Sequence, residues 1–386
     1  MSAKAKYHGP AFGGLEIPEP LSDAQIDARS RELLGQLTLE EKIKMMSGDL
    51  PFWVGMADML GGGYADHPWV AGAIPRLGIP GVRFVDGPRG VILDGATTFP
   101  VSMARGATFD PELEERIGDV IGRELRAMGG NFFGGVCINL LRHPAWGRAQ
   151  ETYGEDPIHL GEFGAALARG VQRHVMACAK HYALNSMENA RFTVDVRIEP
   201  RPLHEIYLRH FKRVVEEGVA SIMSAYNSVN GEYCGQNYTL LTEILKQQWG
   251  FQGFVMTDFI FGMRDSKKAA LAGQDVEMPF DMIHRQHVWA FPVCVLWTAH
   301  AGLFLTALPP SRSLWRGGQP LTRNWKNALE MSSGANCVPW GETSLAVYAL
   351  ISYVIQPGDA LRKPMVKIPS IWVNLGQLWP VAYRGT

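Results

Sequence analysis

The chain is 386 residues long, 46% hydrophobic and 19% charged, with a formal net charge of −1. That length holds one large α/β barrel with extra segments, or roughly two or three smaller domains, and the apolar share suffices for a sizeable core. The near-zero charge and the lack of any Lys/Arg block exclude a general attraction to nucleic acid or anionic lipid.

Met1 to Leu21 is Gly/Pro-rich and lacks the apolar centre of a signal peptide. We read it as an arm that, with a first helix from Asp23 to Leu37, makes up residues 1–36. Thr38 and Glu41 form a capping box that opens a second helix through Met46. From Gly61-Gly62-Gly63 to Gly78, with Pro68 and Pro75, the pattern predicts an irregular loop. Gly81 to Val85 is a strand ending at Asp86. Asp110 caps the clearest helix, with Pro111 at its first position and Leu113, Ile117, Val120, Ile121 and Leu125 as its apolar stripe. Gly129-Gly130 stops it.

Four more apolar runs follow. Asn131 to Leu141 leads to Arg142 and Arg148, Met176 to Ala179 to Lys180-His181, Ser221 to Ala225 to Tyr226, and Gly253 to Thr257 to Asp258. Helices are predicted between them at His159–Gln172, Pro202–Glu217 and Thr239–Gln248, and Asp275 to Pro279 reads as a closing strand. Strand–helix alternation predicts an α/β fold with parallel strands. Polar residues collected at the strand ends fit the active face of a TIM-type (β/α)8 barrel, incomplete or irregular here.

Beyond Phe280 the character changes. Seven of the eleven tryptophans lie there, while Asp281, Glu330, Glu342 and Asp359 are the only acids. Val288 to Leu308 has the length of a membrane span, but Pro292, Thr298 and His300 weaken that and no span is expected. We treat 281–386 as a tail of unknown fold, and a shifted reading frame or a foreign segment is the hypothesis for it. Translating the coding DNA in all three frames tests this, and related genes with one clean in-frame domain of this composition would sink it. Cys137, Cys178, Cys234, Cys294 and Cys337 are scattered and odd in number, so neither a disulfide framework nor a zinc site is expected. Reduced thiols and no leader predict a cytoplasmic protein.

The strand ends supply two carboxylates (Asp86, Asp258), a guanidinium (Arg148), an ammonium beside an imidazole (Lys180, His181) and a phenol (Tyr226). No metal-ligand spacing, phosphate loop or G-x-S-x-G elbow accompanies them, so no metal or cofactor is expected. Such a set suits a polyol: carboxylates accept from hydroxyls, and Lys, Arg and His donate. Each residue also has a plainer role. Asp258 caps its loop, Asp86 orders the Gly87-Pro88 turn, Lys180-His181 is a buried pair bonded to a carboxylate, Arg148 braces Glu151, Glu155 or Asp156, and Met223 and Tyr226 fill the core.

From about Leu37 to Pro279 the chain resembles the barrel domain of glycoside hydrolase family 3, the β-glucosidase type. The resemblance is carried by Leu37-Thr38-Leu39-Glu40-Glu41-Lys42, Leu77-Gly78-Ile79-Pro80-Gly81, Asp86-Gly87-Pro88-Arg89-Gly90 and Arg142-His143-Pro144-Ala145-Trp146-Gly147-Arg148. It continues through Glu151-Thr152-Tyr153-Gly154-Glu155-Asp156-Pro157, Lys180-His181-Tyr182, Glu205-Ile206-Tyr207-Leu208, Met223-Ser224-Ala225-Tyr226-Asn227 and Gly253 to Asp258. It implies a barrel domain over 37–280 and a retaining double displacement on a β-glucoside or oligosaccharide, with Asp258 as nucleophile. It implies that Asp86, Arg148, Lys180 and His181 hold the sugar, with Met223, Tyr226 and Phe259 around it. Phe259 stands where the family has a Trp wall. The family's acid/base Glu comes from a second domain that 281–386 does not resemble, and the loop after Lys180-His181 lacks the His-Asp pair of the single-domain branch. The acid/base is therefore unassigned and slow turnover is expected. The alternatives are a non-catalytic sugar-binding barrel and a Schiff-base lyase using Lys180. Apolar surface left by an absent partner domain is expected to favour a homo-oligomer.

Overall fold

The computed structural model describes residues 22–282 and the backbone pairing of Trp315–Arg316 with Gln319–Pro320. The N-terminal arm, the Val288–Leu308 segment, Cys294, Cys337 and the character of the tail lie outside the described residues.

Strands β1 (Trp69–Ala71), β2 (Val82–Val85), β3 (Phe132–Cys137), β4 (Met176–Tyr182), β6 (Ser221–Ser224) and β9 (Phe254–Thr257) form one sheet in that order. All neighbours are parallel except β1, which runs antiparallel to β2. Three two-residue strands, β5 (Asp195–Val196), β7 (Ser228–Val229) and β8 (Glu232–Tyr233), make a small separate sheet.

Two further backbone segments curl the main sheet shut. Met256 of β9 bridges Val276, Glu277 bridges Ser47, and Gly48 bridges Ala71 of β1. Amides alternate sides along the way: Gly48 donates to Glu277 (3.0 Å) and Asp49 to Val70 (2.9 Å). The circuit is an irregular TIM-type barrel. The expected closing strand at 275–279 is thus a run of single bridges rather than a ladder.

The helices are α1 (Asp23–Gln36), α2 (Leu39–Lys44), α3 (Phe52–Leu60), α4 (Ser102–Gly106), α5 (Pro111–Ala127) and α6 (Pro157–Val171). Then comes a continuous run of α7 (Pro200–Pro202), a π turn (Leu203–Tyr207) and α8 (Arg209–Glu216), a π-helix at Thr239–Gln248, and α9 (Ser266–Ala272). Local chemistry explains the starts. Thr38 accepts from the Glu41 amide at 3.2 Å and Glu41 accepts from the Thr38 amide at 2.9 Å. Asp110 accepts from Leu113 at 2.9 Å, and Asp156 from Ile158 and His159 at 2.8 Å.

Several expectations are corrected. The stretch 61–78 is not wholly irregular: it holds β1, because Trp69 and Ala71 are buried and Trp69 packs edge-on against Phe280 (5.5 Å). α2 ends two residues short of Met46, and α6 starts two residues before His159, at the Asp156 cap. β4 runs on through Lys180 and His181 instead of stopping before them. Val120 is exposed, and the buried face of α5 carries Glu114, Gly118 and Gly122 instead. Glycines there let α5 lie on α6 at backbone distance.

Side-chain alternation divides the interior into two cores. Val82, Phe84, Phe132, Met176, Cys178, Met223, Phe254 and Met256 fill the barrel lumen. Val85, Phe133, Ala177, Ala179, Ile222 and Val255 face outward onto Ile121, Leu125, Leu167, Phe211 and Leu241. Burial on both faces is why these strands read as unbroken apolar runs.

A Cβ at Gly170 would lie 2.1 Å from the Glu115 carbonyl. Gly170→Ala is expected to destabilise the fold by about 1–3 kcal/mol, read as a lower urea midpoint. An unchanged midpoint contradicts the close α5–α6 contact.

Candidate active site

Three lumen-facing rows end in ionisable groups. Val82 and Phe84 lead to Asp86, Met176 and Cys178 to Lys180, Phe254 and Met256 to Asp258. The same period-two rule that buries the apolar members brings these three side chains together at one mouth of the barrel. Simple alternation sends His181 to the outside, but the β4–β6 register shifts between Ala179 and Tyr182. The Lys180–His181 peptide is cis, and the imidazole Nε2 sits 3.7 Å from Asp258 Oδ2.

Asp86 accepts from the Lys180 ammonium, from the Tyr64 hydroxyl (2.8 Å) and from the Gly87 amide (2.8 Å). Burial pushes its pKa up, but Lys180 and these donors outweigh burial and hold the carboxyl below its ordinary value. Burial works against the Lys180 ammonium too, and Asp86 more than restores it. Lys180 is therefore a charged donor, the opposite of what a Schiff-base lyase needs. Arg148 forms a two-pronged pair with Glu151 (3.0 and 2.7 Å), the expected brace, and its charge also reaches Asp258.

Asp258 differs from the other acids. Its Oδ1 accepts from the Phe259 amide (2.8 Å); its buried Oδ2 accepts no hydrogen bond among the described residues, although the Tyr226 hydroxyl, turned to the Phe259 carbonyl, lies near enough to help stabilise the carboxylate. Burial raises its pKa to about 6, and Arg148 and Lys180 only partly oppose the rise. His181 is held neutral: burial first, then Arg148, Lys180 and Arg191, push its pKa well below the usual range. Asn139 binds it through Oδ1, 2.7 Å from Nδ1. Tyr226 lies beside Asp258 and donates to the Phe259 carbonyl at 2.6 Å.

Among the expected residues, Asp86, Arg148, Lys180, His181, Tyr226 and Asp258 converge. Met223 is buried in the lumen core beneath them. The Phe259 ring packs on Phe84 (4.8 Å) and Tyr64 (6.2 Å). Arg142 is exposed. Tyr64, Asn139 and Arg191 were not foreseen. Arg191 stacks on Phe192 and Tyr226 (4.7 Å each) and pairs with Glu188. The loop bearing Arg148 is anchored by Thr152, which donates to the Asn139 carbonyl (2.6 Å). It is anchored again by Tyr153, which donates to buried Glu114 (2.7 Å), itself paired with Arg105 (3.0 Å).

Barrel and strand-end pocket together define a TIM-type barrel with an ionisable cluster at one mouth. The family model for "Glycosyl hydrolase family 3 N terminal domain" matches residues 70–280. The chain belongs to that family. It is 37% identical over 257 residues to a β-glucosidase of Rhizobium radiobacter, covering 64% of this chain and 29% of that protein. It is also 37% identical over 264 residues to thermostable β-glucosidase B of Acetivibrio thermocellus, covering 64% and 33%. β-Glucosidase 3B of Thermotoga neapolitana, solved with α-D-glucose, superposes with a TM-score of 0.65 at 30% identity, covering 89% of this chain and 44% of that one. The chain thus spans about a third of the length of the curated relatives it matches.

Because the folded pKa of Asp258 lies above that of an unfolded carboxyl, the group favours the folded state at low pH. That contribution is lost as pH rises from about 4 through about 6. Asp258→Asn should therefore raise the unfolding free energy at neutral pH, by on the order of 3 kcal/mol at most, and leave it unchanged below about pH 4. Thermal melts across pH check this, and a variant less stable at neutral pH contradicts a desolvated, unpaired carboxylate.

Proposed function

We propose that this chain carries the nucleophile-bearing barrel of a β-glucosidase that works by retaining double displacement. The observation that carries it is the buried Oδ2 of Asp258, which accepts no hydrogen bond among the described residues and lies beside the Tyr226 hydroxyl and among cations that are already paired with other acids. An oxygen held this way is ready to form a bond, and the relatives' β-glucosidase names support a glucose-like sugar.

In the first step Asp258 Oδ2 bonds to the anomeric carbon as the glycosidic C–O bond breaks, and the departing oxygen takes a proton from an acid. In the second, water attacks the glycosyl-enzyme, gives its proton to the same group and frees Asp258. Asp86, Lys180, Arg148 and neutral His181 supply acceptors and donors for sugar hydroxyls.

The other acids nearest the pocket are engaged: Asp86 with Lys180, Glu151 with Arg148 and Glu188 with Arg191. None of these three is free to protonate the leaving group. That pairing also favours the alternative, a sugar-binding barrel without turnover, which calorimetric glucose binding with no hydrolysis would establish.

Acid assistance is worth about 10²–10⁴-fold, so substrates with good leaving groups should turn over without it. Purified chain is expected to hydrolyse 2,4-dinitrophenyl β-glucoside detectably and cellobiose very slowly or not at all, and Asp258→Asn should abolish the aryl reaction. Brisk cellobiose turnover contradicts the reading that the paired acids Asp86, Glu151 and Glu188 leave the leaving group without a proton donor. Aryl turnover that survives Asp258→Asn contradicts the nucleophile.

A further inference from the structure

Asn139 sits just past β3, is 1% exposed, and turns its amide mainly on one neighbour, with only a long contact from the Cys137 thiol (3.9 Å) besides. Its Oδ1 accepts from the His181 main-chain amide at 2.8 Å and lies 2.7 Å from His181 Nδ1, while its Nδ2 donates to the His181 carbonyl at 2.9 Å. The bond from Nδ2 to a carbonyl fixes which end of the amide is oxygen. An amide oxygen only accepts, so Nδ1 carries the proton. A neutral imidazole has a single N–H, which leaves Nε2 as a bare acceptor.

Nε2 is the atom that looks at Asp258 Oδ2 across 3.7 Å. Two acceptors do not bond, and Oδ2 accepts no hydrogen bond among the described residues, the nearby Tyr226 hydroxyl being turned to the Phe259 carbonyl. In the other tautomer Nε2–H would close on the carboxylate as a charge-assisted hydrogen bond and occupy the oxygen that has to attack.

We propose that Asn139 is a positioning residue: it locks His181 as the Nδ1–H tautomer and thereby keeps the attacking oxygen of Asp258 unquenched. The functional half rests on Asp258 being the nucleophile, whereas the tautomer lock stands on its own.

The surrounding charges act with the lock. Arg148 from the loop after β3, Lys180 on β4 and Arg191 from the loop after β4 all face His181 and oppose a second proton. They are held by Glu151, Asp86 and Glu188. Asp258 feels Arg148, Lys180 and Tyr226, and Tyr64 lies within its field. Thr152, donating to the Asn139 carbonyl, ties the lock to the Arg148 loop.

The test uses ¹⁵N-histidine in the full chain, with the His181 signal assigned by His181→Gln. Wild type should show Nδ1 protonated and Nε2 bare from about pH 5 to about pH 8. A protonated Nε2, or a tautomer mixture, overturns the lock whatever the variants do. In Asn139→Ala the proton should redistribute to Nε2. kcat/KM for 2,4-dinitrophenyl β-glucoside should then fall about tenfold or more, with its acid limb moved to lower pH. Asn139→Asp keeps the acceptor at Nδ1 but makes the ring more basic, so His181 should begin to titrate as an imidazolium on acidification. A folded Asn139→Ala that keeps the Nδ1–H tautomer, rate and acid limb overturns the proposal. Absence of aryl turnover in wild type would instead remove the nucleophile reading, with the NMR still deciding on the lock.

Discussion

A strand buried on both faces has no room for a charged side chain except at its end. β2, β4 and β9 lie between the lumen core and the helical shell, and each carries its lumen-facing row up to one ionisable residue. Everything at the barrel mouth follows from that constraint. The charges arrive together because the strands are parallel and closed into a ring, and they arrive half-dry because Phe84, Phe132, Phe254 and Met256 plug the lumen below. Desolvated charges are costly unless they are paired.

Pairing then sorts the roles. Lys180 takes Asp86, Arg148 takes Glu151 and Arg191 takes Glu188. Asp258 receives one backbone donor, the nearby Tyr226 hydroxyl and the field of cations committed elsewhere. Desolvation with so little compensation makes the ionised carboxyl a poor contributor to stability, and in the proposed role the same environment would leave its oxygen available to attack. The second layer serves the same end: Tyr64 completes Asp86, Asn139 orients His181, and the buried Tyr153–Glu114–Arg105 set anchors the loop that brings in Arg148.

Much of this was legible in the sequence, for a physical reason. Long apolar runs ending in Asp86, Lys180-His181, Tyr226 and Asp258 mark doubly buried strands, and Asp110-Pro111 marks a helix start whatever the tertiary context. What was not legible depends on partners distant in the chain. Trp69–Ala71, between Pro68 and Gly72, is too short to show a period and becomes a strand only by pairing with β2. The Glu277 side of the closure was legible as a closing strand, but its partner Ser47 pairs through a single bridge with no pattern to read. Val120 fits the apolar stripe, yet glycine contacts with α6 rotate α5 so that Gly118 and Gly122 are buried instead. Asn139 lies inside an apolar run and looks like strand filler. Only its bonds to His181, 42 residues on, reveal its use.

The central claim is that Asp258 Oδ2 is the atom that attacks the sugar. Incubating the full chain with an activated 2-deoxy-2-fluoro-β-glucoside, followed by peptide mapping, tests it most directly. One fluoroglucosyl unit ester-linked to Asp258 is the predicted result. A stable adduct on any other side chain, or none while the reagent is consumed, would contradict it.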